Sequence, residues 1–219
     1  ADSFEGYLFP ETYFFSRPIN SEDVIASMIK EGEKLWPEEY TLQAERLNMS
    51  RHEIMILASI IEKESGKVDE QPLISSVFHN RLTHGMRLQA DPTVIYGIPL
   101  FNGNLTKDDL QTPSPYNTYT LDGLPAGPIA NPGRSAIKAA LFPAKTDFYY
   151  FVASGDGGHT FSTQLKEHNA AVKELVTQER AKADNTAKIP TLKHSTDQNV
   201  PVLRPTPKTP IITIRPNPN

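Results

Sequence analysis

Residues 50–66 read SRHEIMILASIIEKESG, and the way this stretch winds decides what is built around it. Ser50 followed three residues later by Glu53 is a capping-box pattern, so a helix is predicted over residues 51–65. At 3.6 residues per turn, Leu57, Ile60, Ile61 and Glu64 fall at i, i+3, i+4 and i+7, a single stripe suited to a core. That stripe ends on a carboxylate. Glu62 and Lys63 project away from it. Ser65-Gly66 supplies a stop, which puts Glu64 in the last turn, where the helix dipole disfavours negative charge. Apolar surroundings and the dipole both push a carboxyl pKa up, as a general acid working near neutrality requires. A structural reading stands beside the catalytic one: a buried glutamate paired with an arginine such as Arg81.

Outward from this helix, residues 21–36 carry Val24, Ile25, Met28, Ile29 and Leu35 on one broad face. They predict an amphipathic helix ended by Pro37. Residues 1–19, rich in aromatics and broken by Pro10 and Pro18, read as extended. Residues 72–83 predict a third helix, with proline in its first turn and Leu73, Ile74, Val77, Phe78 and Leu82 inward. From 86 to 143 the chain crowds Gly, Pro, Asn, Thr and Tyr together without a sustained period, apart from a short helix over 135–141. Its aromatic content predicts an ordered, functional loop that wraps over the C-terminal end of the Glu64 helix. DFYYFVA (147–153) and HTFS (159–162), joined by Gly155-Asp156-Gly157-Gly158, predict a β-hairpin. A closing helix is predicted over 163–183, with Leu165, His168, Val172, Leu175 and Val176 on its apolar face. The class expected is α+β: helices packed on a small antiparallel sheet, with a long ordered loop. Residues 1–183 form the expected domain. Residues 184–219, with seven of the 19 prolines lying in 190–219, are expected to be a disordered tail in which IITI (211–214) is the one sticky segment.

The chain has 219 residues, 38% hydrophobic and 22% charged, which is ordinary for a soluble globular protein. No stretch approaches the ~20 consecutive apolar residues of a membrane span. ADSFEGYLFP at the start already reads as folded-domain sequence, so the chain is expected to be a fragment of a longer protein. Cysteine is absent, which excludes disulfides, thiolate catalysis and Cys-ligated zinc. The net charge is −4; residues 184–219 set Lys188, Lys193, Arg204, Lys208 and Arg215 against Asp184 and Asp197, a net +3, which leaves −7 on residues 1–183. A globular part that acidic is poorly suited to nucleic acid.

The six histidines (His52, His79, His84, His159, His168 and His194) make no HExxH or comparable pair, so no metal site is expected. There is no GxSxG, and GDGG lacks the context of a phosphate loop. What remains is a lone acid and a loop rich in Tyr, Asn, Thr and Gln, the usual lining of a carbohydrate groove. Gln89, Asp91, Thr93, Tyr96, Ser114, Tyr116, Asn117, Thr118 and Tyr119 are the expected substrate-binding residues. Asp91 also serves as an Asp-Pro turn brace in the structural reading, and Tyr119 as core. Most glycosidases need two carboxylates, for which Asp91, Asp122 and Asp156 are candidates. One acid suffices if a hydroxyl of the sugar is the nucleophile.

SIIEKES (59–65), NRL (80–82), GMRLQADPTVIYG (85–97), TPSPYNTYTLDGLPAGPIANPG (112–133), PAKTDFYYFVA (143–153), GGHTFS (157–162) and EGYLFPETY (5–13) together resemble the endolytic murein transglycosylase family, also called MltG or YceG-like. The resemblance covers about residues 4–177. It implies lytic cleavage of peptidoglycan glycan strands between MurNAc and GlcNAc, leaving 1,6-anhydroMurNAc ends, without cofactor. The second acid of the family's EKE(T/S) motif falls on Glu64. The family's N-terminal membrane helix and LysM-like module have no counterpart here. The implied setting is therefore a periplasmic or extracytoplasmic domain anchored to the inner membrane, with penicillin-binding proteins as prospective partners. The family has also carried the label of a pyridoxal-phosphate lyase, for which the chain has no phosphate cradle or preorganised lysine. A non-catalytic peptidoglycan-binding or scaffold domain is the alternative.

Overall fold

A computed structural model describes residues 3–187. In chain order the elements are α1 (Ser21–Lys34), α2 (Glu38–Arg46), α3 (Arg51–Glu64), a 3₁₀ turn (Val68–Glu70), α4 (Gln71–Thr83), α5 (Asp91–Gly97), α6 (Lys107–Gln111), α7 (Arg134–Leu141), β1 (Tyr150–Ala153), β2 (His159–Ser162) and α8 (Leu165–Ala187). The architecture is α+β, mostly helical with a two-stranded antiparallel sheet. Residues 188–219, which hold most of the expected tail, lie outside the described residues; 184–187 belong to α8.

The third helix is the axis of the fold. Its capping box forms as read: Ser50 Oγ accepts from the Glu53 amide at 3.2 Å, and Glu53 Oε2 accepts from the Ser50 amide at 2.7 Å. The burial is broader than one stripe, because all eight residues from Ile54 to Ile61 are buried. A helix enclosed all round is a core element, and the single-stripe reading underestimated it. Ala136, Ala139 and Ala140 of α7 are buried and small, which lets that helix lie close against α3. Buried Ser59 is satisfied: its hydroxyl donates to the Ile56 carbonyl at 2.7 Å and accepts from the Ile129 amide at 3.0 Å. That bond ties the 86–143 segment to the middle of α3.

A lone two-stranded ribbon is marginal in water, and here α4 holds it. Asn80 Nδ2 donates to the Thr146 and Phe148 carbonyls, both at 2.9 Å, and Arg81 Nε donates to the Tyr149 carbonyl at 2.7 Å. Phe78 meets Phe151 edge-on, 5.8 Å between ring centroids. The strand register pairs Tyr150 with Ser162 and Ala153 with His159. The first strand is shorter than the expected 147–153 because residues 146–149 serve these α4 side chains instead.

Two further differences have local causes. Pro37 ends α1 but also stands as the N-cap of α2, a helix the sequence reading missed because the proline was taken only as a stop. The 86–143 segment contains α5 and α6 besides α7. Pro92 occupies the first turn of α5, so the Asp-Pro pair starts a helix, and a Thr106/Asp109 capping box starts α6. The N-terminal EGYLFP segment is docked on the ANPG loop, where Asn131 Oδ1 accepts from the amides of Gly6 and Leu8 at 2.8 and 3.1 Å. Gly6 has φ +87°, and a β-carbon there would stand 2.5 Å from Pro128, so no other residue fits.

Candidate active site

Glu64 is the last residue of α3, and Ser65 succeeds it in extended conformation. The chain then turns through the 3₁₀ segment, so the carboxyl sits where the core helix opens onto a cleft of about 470 Å³. One wall comes from Leu88, Gln89, Asp91 and Tyr119. The other comes from Tyr150 to Ala153 of β1, His159 of β2, and Leu165 and His168 of α8; Arg81 stands between them. The Glu64 carboxyl makes no hydrogen bond or ion pair with any described residue. Burial raises its pKa from 4.5 to about 7; the negative charge of Asp91 adds to the rise and the Arg81 guanidinium opposes it.

Arg81 is therefore not the ion-pair partner that the structural reading supposed. Its fork is spent on backbone: Nε on the Tyr149 carbonyl, Nη1 on the Leu88 and Arg87 carbonyls at 2.7 and 3.3 Å. It also lies over the Tyr150 ring, 5.4 Å from the centroid. Being held this way, the guanidinium clamps both walls of the cleft while biasing Glu64 from outside bonding range. Tyr119 donates its hydroxyl to Asp91 Oδ1 at 2.5 Å, and burial followed by this bond raises the phenol pKa. It stays a donor across the physiological range. Arg87 braces the same corner, with Nη1 on the Tyr119 carbonyl at 3.0 Å and Nε on Asp122 at 2.9 Å.

Of the nine expected binding residues, Gln89, Asp91 and Tyr119 line the cleft. Gln89 is exposed and adopts φ +51°. Thr93 and Thr118 are fully buried, their hydroxyls 2.8 Å apart; Thr118 Oγ1 also accepts from the Ala90 amide at 2.9 Å. Asn117 is buried too. Its Nδ2 points at the Asp109, Leu110 and Thr112 carbonyls, 3.2, 3.2 and 2.7 Å away, and its Oδ1 accepts from the Tyr119 amide at 2.8 Å. Ser114 Oγ accepts from the Tyr116 and Asn117 amides. Tyr96 and Tyr116 pack together at 4.8 Å between centroids, off the cleft wall. These six lie off the cleft lining and hold the loop itself together, with Tyr96 packed on its exposed side. Asn117→Ala is accordingly expected to destabilise the fold by about 2–3 kcal/mol, read as a lowered thermal midpoint, because it deletes a buried amide that bonds three part-buried carbonyls and the Tyr119 amide.

Sequence reasoning missed the second wall. His168, read as a core histidine, stacks on Tyr150 at 5.4 Å between centroids and lines the cleft. His159 was read only as part of a strand. Of the other acids considered, Asp122 is held by Arg87 and Asp156 by Ser154 and the Gly158 amide, both away from the cleft lining. Among the described residues no group of His, Asp and Glu could hold a metal ion.

The comparisons with known proteins bear on this arrangement. The chain is 43% identical over 179 residues to an endolytic murein transglycosylase of Bacillus subtilis, covering 81% of this chain and 49% of that protein. It is 34% identical to the endolytic murein transglycosylase of Streptococcus pneumoniae D39, covering 78% and 32%. The chain thus spans about a third to a half of the length of these relatives. A crystal structure of a yceG-like protein from Listeria monocytogenes superposes with a TM-score of 0.70 at 43% identity, covering 76% of this chain and 55% of that one. The family model described as YceG-like matches residues 1–174, which take in both walls of the cleft and the glutamate between them, and the chain belongs to that family.

Proposed function

We propose that this domain is an endolytic lytic transglycosylase that cleaves peptidoglycan glycan strands at the β-1,4 bond between MurNAc and GlcNAc, with Glu64 as general acid and then base. One observation carries the reading: a carboxyl opening onto the cleft, unbonded to any described residue, with a pKa raised to about 7. Such a group is substantially protonated near neutrality and still able to take a proton back. Protonated Glu64 donates to the glycosidic oxygen, and the C1–O4 bond breaks as GlcNAc leaves with its C4 hydroxyl. The C6 hydroxyl of MurNAc then attacks C1 and yields its proton to the Glu64 carboxylate. The ring closes as a 1,6-anhydro end, and the acid is regenerated without water. The Arg81 guanidinium stabilises the carboxylate between the two transfers.

Asp91 favours a second reading, because it is a carboxylate on the same cleft and a hydrolase needs two. Its Oδ1 accepts the Tyr119 hydroxyl, which fits a bracing role better. Mass spectrometry of muropeptides from digested sacculi separates the readings. Anhydro ends are expected, and Asp91→Asn should keep them. That variant should also move the alkaline limb of the pH–rate profile downward, since removing the neighbouring negative charge lowers the Glu64 pKa. Reducing MurNAc ends together with an inactive Asp91→Asn would make the protein a hydrolase. Sacculi that bind the domain and stay intact would make it a scaffold. The substrate places the domain outside the cytoplasmic membrane. Anchoring by a preceding helix and association with penicillin-binding proteins are part of what we propose; no described helix is long and apolar enough to cross a membrane.

A further inference from the structure

The wall opposite Asp91 contains a built polar pair that the acid–base cycle of Glu64 does not use. His159 Nδ1 lies 2.7 Å from Glu70 Oε2, and Glu70 Oε1 also accepts the His159 amide at 3.3 Å. Both side chains are mostly buried, at 13% and 19% exposure. The ring also packs nearly perpendicular to Phe151, 5.5 Å between centroids, which limits its rotation. Lys67 Nζ stands 3.9 Å from Glu70 Oε1 on the other side of that carboxylate. A carboxylate only accepts, so the proton of a neutral His159 must sit on Nδ1, which leaves Nε2 a lone-pair acceptor. His159 lines the cleft, and its Nε2 has no partner among the described residues.

We propose that His159, held in its Nδ1–H form by Glu70, is a substrate-positioning residue whose Nε2 accepts a hydrogen bond from a hydroxyl or amide N–H of the bound glycan. Saccharides carrying N-acetyl groups offer both donors, and the aromatic wall of Tyr150 and Phe151 supplies the apolar face beside them. Glu70 acts through the imidazole. It orients the ring as a carboxylate orients a ligating or catalytic histidine elsewhere.

This inference rests on the transglycosylase reading, and its test keeps the two apart. Binding of a purified GlcNAc-MurNAc tetrasaccharide is measured by calorimetry in a Glu64→Gln background, where no cleavage is required. His159→Phe is expected to weaken binding roughly tenfold, the size of one well-placed hydrogen bond. His159→Gln, whose amide oxygen reaches the Nε2 position, should recover part of it. In the cleaving protein His159→Phe should raise KM about tenfold and leave kcat within about threefold. Nitrogen NMR of the imidazole should find the proton on Nδ1, and Glu70→Gln should shift it toward Nε2. Equal losses in the Phe and Gln variants, undiminished binding, or a proton resident on Nε2 in the unmutated chain would overturn the proposal. A chain that cleaves no glycan, yet loses binding with His159→Phe, would overturn the transglycosylase reading and leave this one standing.

Discussion

Replacing Glu64 with Gln is expected to lower glycan cleavage by at least ~10²-fold while the protein stays folded, because the amide fits the site but cannot give and retrieve a proton. The unmutated enzyme should itself lose activity above about pH 7, as the carboxyl that must donate becomes ionised. The same group marks stability. Its folded pKa of about 7 lies above the ordinary 4.5, so its contribution is fully present below about pH 4.5 and is lost as pH rises through 7. Between those limits the native state should lose about 2–3 kcal/mol, a loss absent from the Gln variant. At pH 8 Glu64→Gln should therefore be the more stable protein, and at pH 4 the two should match. Denaturant titrations at both pH values check this. Equal pH dependence in the two proteins would mean that Glu64 faces water. Glu62→Gln is the control, and it is informative because Glu62 is not idle: its Oε2 accepts from the Gly133 amide at 3.0 Å, at the N-cap of α7. Gln keeps an oxygen for that bond, so cleavage should stay near the unmutated rate.

Replacing Arg81 with Leu is expected to cost about 3 kcal/mol of stability, since it strands the Tyr149, Leu88 and Arg87 carbonyls that the guanidinium now serves. The two walls of the cleft lose their shared clamp at the same time. With the opposing positive charge gone, the Glu64 pKa should climb above about 7, and the alkaline limb of activity should move up with it. Arg81→Lys keeps the charge without the fork. It should hold the limb near its original position yet recover little of the stability. Chemical denaturation and a pH–rate profile on both variants separate the clamp from the charge. Unchanged stability in the Leu variant would refute the clamp.

The helix carrying Glu64, its cap, its stop and the place of that residue in its last turn were legible from residues 50–66, because capping and helical phase depend on neighbours within four positions. The hairpin and the fourth helix were legible for the same reason. Pro37 and Asp91-Pro92 misled, since proline both ends one helix and opens the next, and only the packing of the residues downstream of it decides which. Thr93, Asn117 and Thr118 lie buried away from the cleft lining for a different reason. A side chain that offers donors and acceptors to a sugar offers the same groups to backbone carbonyls, and Asn117 spends its amide on three of these. Whether such a residue is buried depends on where distant segments arrive. The far wall of the cleft shows this most clearly: Arg81 meets Tyr149 across 68 residues, and Glu70 meets His159 across 89. The sequence by itself determined which acid ends the core helix. Only the tertiary structure decided that Arg81 would bias that acid without bonding it, and that a second wall bearing His159 would face Asp91 across the cleft, because long-range contacts leave no period or spacing in the chain.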